Sequence, residues 1–246
     1  GCHGDADYMA GYGIPTDQFD KFAKSVHGVA LLENEDTGAP ACNDCHGNHG
    51  ATPPGVASIA QVCGHCHVNN MQYFTESRMG RAFAEEGFHG CEECHGNHGV
   101  AKTSDHMVGT GEGSVCLDCH DQGDDGFETA AMIHASLDTL STTYDHAIVR
   151  QKEVQRIGMD DVDIGFLLQE AHQSLIQSRT LVHTFDAKKV AERTAEGRAK
   201  AQEAIDLAAR QVKDYHVRRR GFGMATLFTT ILALALFLRI RQMEAR

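Results

Sequence analysis

Cysteine pairs followed at once by a histidine occur four times: Cys42-x-x-Cys45-His46, Cys63-x-x-Cys66-His67, Cys91-x-x-Cys94-His95 and Cys116-x-x-Cys119-His120. These residue types at this spacing fit one covalent chemistry. Two thiols add across the two vinyl groups of a porphyrin, and the next side chain sets an imidazole against its iron. Cys2-His3 reads as the end of a fifth motif whose first cysteine lies upstream of Gly1. The count agrees, because nine cysteines make four pairs and leave Cys2 over. A Cys-x-x-Cys pair can also be half of a zinc site or a thioredoxin-like redox pair. Neither chemistry requires histidine after every second cysteine. The expected cofactor is therefore c-type haem (heme c), five copies, with His3, His46, His67, His95 and His120 as proximal iron ligands. Every cysteine is then used, and none remains for a structural disulfide.

An internal repeat suggests the ligands on the opposite faces. Phe22-x-x-Ser25-x-His27-Gly28 leads into Cys42-x-x-Cys45-His46-Gly47-Asn48-His49-Gly50 and then into Cys63-x-x-Cys66-His67. Phe74-x-x-Ser77-x-Met79-Gly80 leads into Cys91-x-x-Cys94-His95-Gly96-Asn97-His98-Gly99 and then into Cys116-x-x-Cys119-His120. A two-haem unit of roughly 50 residues is thus copied, and repeats at this period mean one structural unit stacked on another. His27 and Met79 share one slot. His49 and His98 each stand three residues past a proximal histidine, too close to ligate their own haem from behind but able to reach a neighbour. His134 follows the last motif in a similar helix-like stretch. The expected distal ligands are His27, His49, Met79, His98 and His134. Alternatively, histidines in such loops bond haem propionates, and Met79 packs on a porphyrin. His65 reads as a haem-edge contact. His89, His106, His146, His172 and His183 are held in reserve.

The elements that position these residues follow from composition. The chain has 246 residues, 25 glycines, no tryptophan and 7% aromatic residues. That is thin for a core of side chains alone, so the reading is a haem-filled core wrapped by mostly α and irregular polypeptide. Ile133, Leu137, Leu140, Tyr144 and Ile148 fall at helical spacing. A second helix is expected from about Met159 to His183, with His172, Leu175, Ile176, Arg179 and His183 on one face. That face could press on a haem, with Arg179 reaching a propionate. Thr184 or Asp186 could cap a third helix beginning near Ala187. Residues 221–238 carry no charge and no proline, and span roughly 27 Å as a helix, close to the apolar thickness of a bilayer. Arg218, Arg219 and Arg220 precede this run, and Arg239 and Arg241 follow it. The expected organisation is a five-haem region at 1–134 (a first haem at 1–3, repeats at about 22–67 and 74–120), a helical region packing on the haems at 127–186, a long helix at 187–220, a C-terminal transmembrane helix at 221–238 and a tail at 239–246.

Charge is unevenly spread. Of 22 Lys/Arg and 34 Asp/Glu, 13 and 6 lie in residues 187–246, leaving 9 basic against 28 acidic residues before them. Such a field favours a basic soluble partner, or simply solubility, and disfavours nucleic acid.

On its four complete motifs, the partial one and the two His-Gly-Asn-His-Gly segments, the chain resembles the multihaem cytochromes c of the doubled Cys-x-x-Cys-His type. That group includes small low-potential tetrahaem cytochromes and the membrane-anchored quinol dehydrogenases of the NapC/NrfH type. In haem number and single anchor the chain also looks like the pentahaem subunit of alternative complex III. The resemblance covers residues 1 to about 134 and implies low-spin haems packed for electron tunnelling. NapC/NrfH-type proteins carry an N-terminal anchor with the quinol site beside it, so that site is not carried over. The expected role is an electron-transfer subunit between integral membrane redox subunits (quinol-oxidising, for example cytochrome b-like) and a soluble electron carrier. The alternative is a multihaem reductase or oxidase of nitrogen or sulfur compounds with one open haem. The expected place is a bacterial or archaeal cytoplasmic membrane with the haem domain on the periplasmic or extracytoplasmic side, reached through a signal sequence or another anchor upstream of Gly1.

Overall fold

The computed structural model describes residues 4–48, 52 and 56–245, and among them it contains helices and turns but no strand. Ten α-helices follow in order: α1 Ala6–Met9, α2 Gln18–Lys24, α3 Val26–Gly28, α4 Cys42–His46, α5 Val68–Glu76, α6 Arg78–Glu86, α7 Cys91–His95, α8 Asp125–Arg156, α9 Val162–Leu181 and α10 Ala187–Glu244. The chain forms two compact units, Gly1–Asp138 with Ile176–Arg193, and Thr139–Leu175 with Thr194–Arg246. Each unit is therefore discontinuous, whereas the sequence suggests boundaries drawn one after another along the chain.

The first unit is built from short elements whose ends are set by local chemistry. Ser25 caps α3 by accepting a hydrogen bond from the Gly28 N–H, and Ser77 caps α6 by accepting from the Gly80 N–H. The motif helices α4 and α7 both stop at a glycine with φ near +70°, Gly47 and Gly96, a conformation that a side chain would strain. The second motif of each repeat lies instead on a 3-10 turn, Ile59–His65 and Val115–Asp118. The sequence repeat is thus a backbone repeat too.

Side-chain burial in this region is sparse. Among the described residues from Gly4 to Asp124, Met9 is the one buried hydrophobic side chain. Apolar packing begins at α8, where Ile133 and Leu137 bury against Val190 with Val108, Leu181 and Val182 around them. Phe74 makes edge contacts with Phe83 and with Phe185, at ring-centroid distances of 5.6 and 6.3 Å. Phe185 holds φ at 50°, which costs a bulky residue about 1–2 kcal/mol. That strained residue closes the 3-10 turn Val182–Thr184, by donating its N–H to the Val182 carbonyl.

The second unit has a conventional helical core of Ala147, Val154, Ile164, Leu168, Ala171, Ala201, Ala204 and Ala208. Its small side chains allow close approach of the helices. At Gly197 a Cβ would stand 2.6 Å from Ser174 Cβ and 3.0 Å from a Leu140 methyl. The turn between α8 and α9 is set by Gly158 at φ 71° and by Asp161, whose carboxylate accepts from the side-chain amides of Gln151 and Gln155.

The expected helix at Met159–His183 is α9, shortened to Val162–Leu181 and continued by the 3-10 turn. Asp186 caps α10, its Oδ1 accepting from the Lys188 and Lys189 N–H groups. Its 58 residues extend about 87 Å at the helical rise. Its C-terminal part holds a stretch long and apolar enough to cross a membrane, with none of it buried within the chain.

Candidate functional site

The four complete motifs lie next to one another in chain order. Burial raises the Cys45 thiol pKa, and Cys63 and Cys66 of the next motif are near enough to raise it further. Cys63 and Cys91 share a hydrogen bond, which lowers Cys63 to about 7 and pushes Cys91 up. Burial, with Cys116 and Cys119 nearby, pushes Cys94 up to about 11. None of Cys42, Cys45, Cys63, Cys66, Cys91, Cys94, Cys116 and Cys119 forms a disulfide. Cys2, His3 and His49 lie outside the described residues.

Three of the four motif histidines each face a histidine from elsewhere in the sequence. His46 faces His98 with ring centroids 5.8 Å apart. His67 faces His27 at 6.2 Å, and His95 faces His183 at 6.1 Å. A fourth pair, His106 and His134, has the same separation, 6.1 Å, and contains no motif histidine. Two imidazoles bound to opposite sides of one metal ion, with bonds of about 2.0–2.1 Å, put their ring centroids roughly 6.3 Å apart. The observed separations fall within about half an ångström of that value. Each pair could hold a single six-coordinate metal between its rings, with four equatorial donors supplied by something other than the protein. Among the described residues, no group of three or more His, Cys, Asp or Glu is placed to hold a metal ion.

The rings are oriented by outer contacts. The Nδ1–H of His183 donates to the Thr180 carbonyl at 3.0 Å, and that of His134 to the Asp105 carbonyl at 3.0 Å. His120 donates from Nδ1 to the Asp124 carboxylate at 3.2 Å, while Asp124 also accepts from the Asp121 and Phe127 N–H groups. Each such bond leaves Nε2 with its lone pair free, the arrangement that metal-bound histidines use. Gly126 makes room for His120, since a Cβ there would fall 2.1 Å from His120 Cε1. Burial lowers the pKa of His27, His95, His98 and His183, and in each case a facing histidine lowers it further or lies close by. Both effects disfavour the charged ring and so favour the neutral form that ligates. A cavity of about 210 Å³ lined by Cys66, His67, Val68, Asn69, Asn70 and Thr180 opens beside the second motif.

No family model, no curated protein and no solved structure matches this chain. Its function must be read from the site itself.

His27 and His98, expected as distal ligands, stand opposite motif histidines. His134 stands opposite His106. Met79 is half-buried at the second position of α6. His183, held in reserve on sequence grounds, faces His95; its signal in the sequence is its place on the helical face shared with His172, Leu175 and Arg179. Arg179 itself forms a two-pronged salt bridge to Asp105, at 2.8 Å for each bond, rather than waiting for a propionate. Of the other reserves, His89 pairs with Glu92 at 2.8 Å and His172 stacks on Tyr144.

Proposed function

We propose that this chain is a membrane-anchored multihaem c-type cytochrome subunit, passing electrons between a quinol-linked membrane partner and a soluble carrier outside the cytoplasmic membrane. The observation that carries this reading is the facing of His46, His67 and His95 by His98, His27 and His183 at the spacing of trans-ligated imidazoles. A bound haem supplies one-electron exchange between ferric and ferrous iron.

The chain's own residues attach, ligate and tune. In each motif both thiols would attach the haem by adding across its vinyl double bonds, each sulfur bonding to one vinyl carbon and each thiol hydrogen going to the other. The pKa of the Cys63 thiol is lowered to about 7, because Cys91 donates a hydrogen bond to its sulfur. The facing imidazoles of His46 and His98, His67 and His27, and His95 and His183 would hold a haem iron from both sides, which would favour electron transfer over chemistry at an open iron. The carbonyl of Thr180 and the carboxylate of Asp124 fix ring orientation and raise ligand basicity. The scarcity of buried apolar side chains before α8 fits a core completed by porphyrin faces, whose burial stabilises at about 25 cal/mol per Å² of apolar surface. The adjacency of the motifs in chain order supports a relay along the chain. The exposed apolar stretch of α10, framed by arginines, serves as a membrane anchor.

The test is the full-length protein purified from membranes. Its mass and alkaline pyridine spectrum should show one covalent haem per complete motif and a fifth shared by Cys2 and an upstream cysteine. Its ferric spectrum should be low-spin throughout. Absence of covalent haem would refute the reading. A full complement with one high-spin iron would favour the alternative of a multihaem reductase or oxidase of nitrogen or sulfur compounds.

A further inference from the structure

The two repeats agree at a level of detail that assigns a ligand to the one complete motif not yet provided with one. Ser25 and Ser77 have φ and ψ of −72° and 163°, and of −74° and 164°. Each donates its hydroxyl to the carbonyl of the phenylalanine three residues before it, at 2.6 and 2.7 Å. Each accepts from the glycine three residues after it, at 3.0 and 2.9 Å. A Cβ on Gly28 would lie 1.8 Å from the Phe22 carbonyl oxygen, and one on Gly80 2.0 Å from that of Phe74. These glycines are therefore required, and they lock the residue before them, His27 or Met79, into one position at the second residue of a capped helix.

The receiving ends agree as well. His67 N–H donates to the Cys63 carbonyl at 2.9 Å, and His120 N–H to that of Cys116 at 3.0 Å. In the first repeat, the locked residue faces the histidine of the second motif, His27 to His67 at 6.2 Å. The same relation, moved one repeat along, sends Met79 to His120. The His120 ring is held in place by its own neighbours: its Nδ1 is tied to Asp124 and the ring packs against Gly126.

We propose that Met79 is the second axial ligand of the iron whose first is His120, so that this haem is His/Met while those of His46, His67 and His95 are His/His. The assignment rests on the haem reading above. Thioether ligation raises a haem's potential. Of the haems at the four complete motifs, the one attached at Cys116 and Cys119 is then the one that holds an electron most tightly, and it forms the low-energy end of that row.

The experiment uses the full-length protein with its haems counted first. In the oxidised wild type, near-infrared magnetic circular dichroism should show the porphyrin-to-ferric-iron charge-transfer band at the position of His/Met ligation, at the intensity of one haem. Met79→His should abolish that band, keep every iron low-spin, and move one reduction step to lower potential while the others stay. Met79→Ala should open one reduced iron to carbon monoxide. A full haem complement without the band in the wild type overturns the proposal and leaves the haem reading standing. So does a band that survives in Met79→His. A protein without covalent haem sinks both.

Discussion

Replacing His183 by alanine tests the pairing that crosses the longest stretch of chain. His183 sits in the 3-10 turn after α9, its Nδ1 tied to the Thr180 carbonyl at 3.0 Å and its ring centroid 6.1 Å from that of His95. The pairs His46–His98 and His67–His27 share no residue with it. On the proposed ligation, His183→Ala therefore leaves one iron with a single imidazole and the remaining irons untouched. Carbon monoxide added to the reduced variant should give a difference spectrum of about one haem in five, against essentially none in the wild type. His183→Met should keep that iron six-coordinate and raise its midpoint by more than ~100 mV, given that axial ligand choice sets haem potentials over ~0.8 V. At 59 mV per tenfold for one electron, ~100 mV corresponds to about 2.3 kcal/mol, several times a surface contact and well within the reach of a redox titration. Unchanged carbon monoxide binding and unchanged potentials, with every haem attached, would show that His183 only packs. The partner of His95 would then be another side chain.

Three further perturbations act at separate places. Gly126→Ala improves helix propensity by about 0.5–1 kcal/mol, but its methyl would stand 2.1 Å from the His120 ring. Overpacking costs about 1–3 kcal/mol, so the clash wins; the ring should tilt off Asp124 and one haem should change its ferric spectrum, as optical titration would detect. Gly197→Val inserts a side chain where a Cβ already meets Ser174 and Leu140 at 2.6–3.1 Å. Denaturant melts followed by far-ultraviolet dichroism should show a loss of about 1–3 kcal/mol, with haem content unchanged. Deleting residues 221–238 should move the haem-bearing protein from the membrane to the soluble fraction with its absorption spectrum intact, as fractionation would show; retention in washed, partner-free membranes would place the anchor elsewhere.

Features that depend on near neighbours in the chain are legible in the sequence by itself. Two thiols and an imidazole within five residues need only a helical or 3-10 turn to converge, and Cys42–His46 and Cys91–His95 form one-turn helices. The apolar run in α10, the Asp186 cap and the Phe-x-x-Ser-x-[His/Met]-Gly frame are equally local, because capping and periodicity act over three or four residues. The facing of the imidazoles is a different kind of fact. His46 and His98, His27 and His67, and His95 and His183 meet across tens of residues, and no spacing rule links the members of a pair. Their meeting depends on how the two repeats stack and on where α9 ends. His183 illustrates the limit: its helical face shared with His172 and Arg179 singles it out, but only the fold sets its ring centroid 6.1 Å from that of His95. The repeat can say that His27 and Met79 are equivalent, since equivalence is a property of sequence. Which imidazole each one meets is a property of packing, and only the tertiary structure decides it.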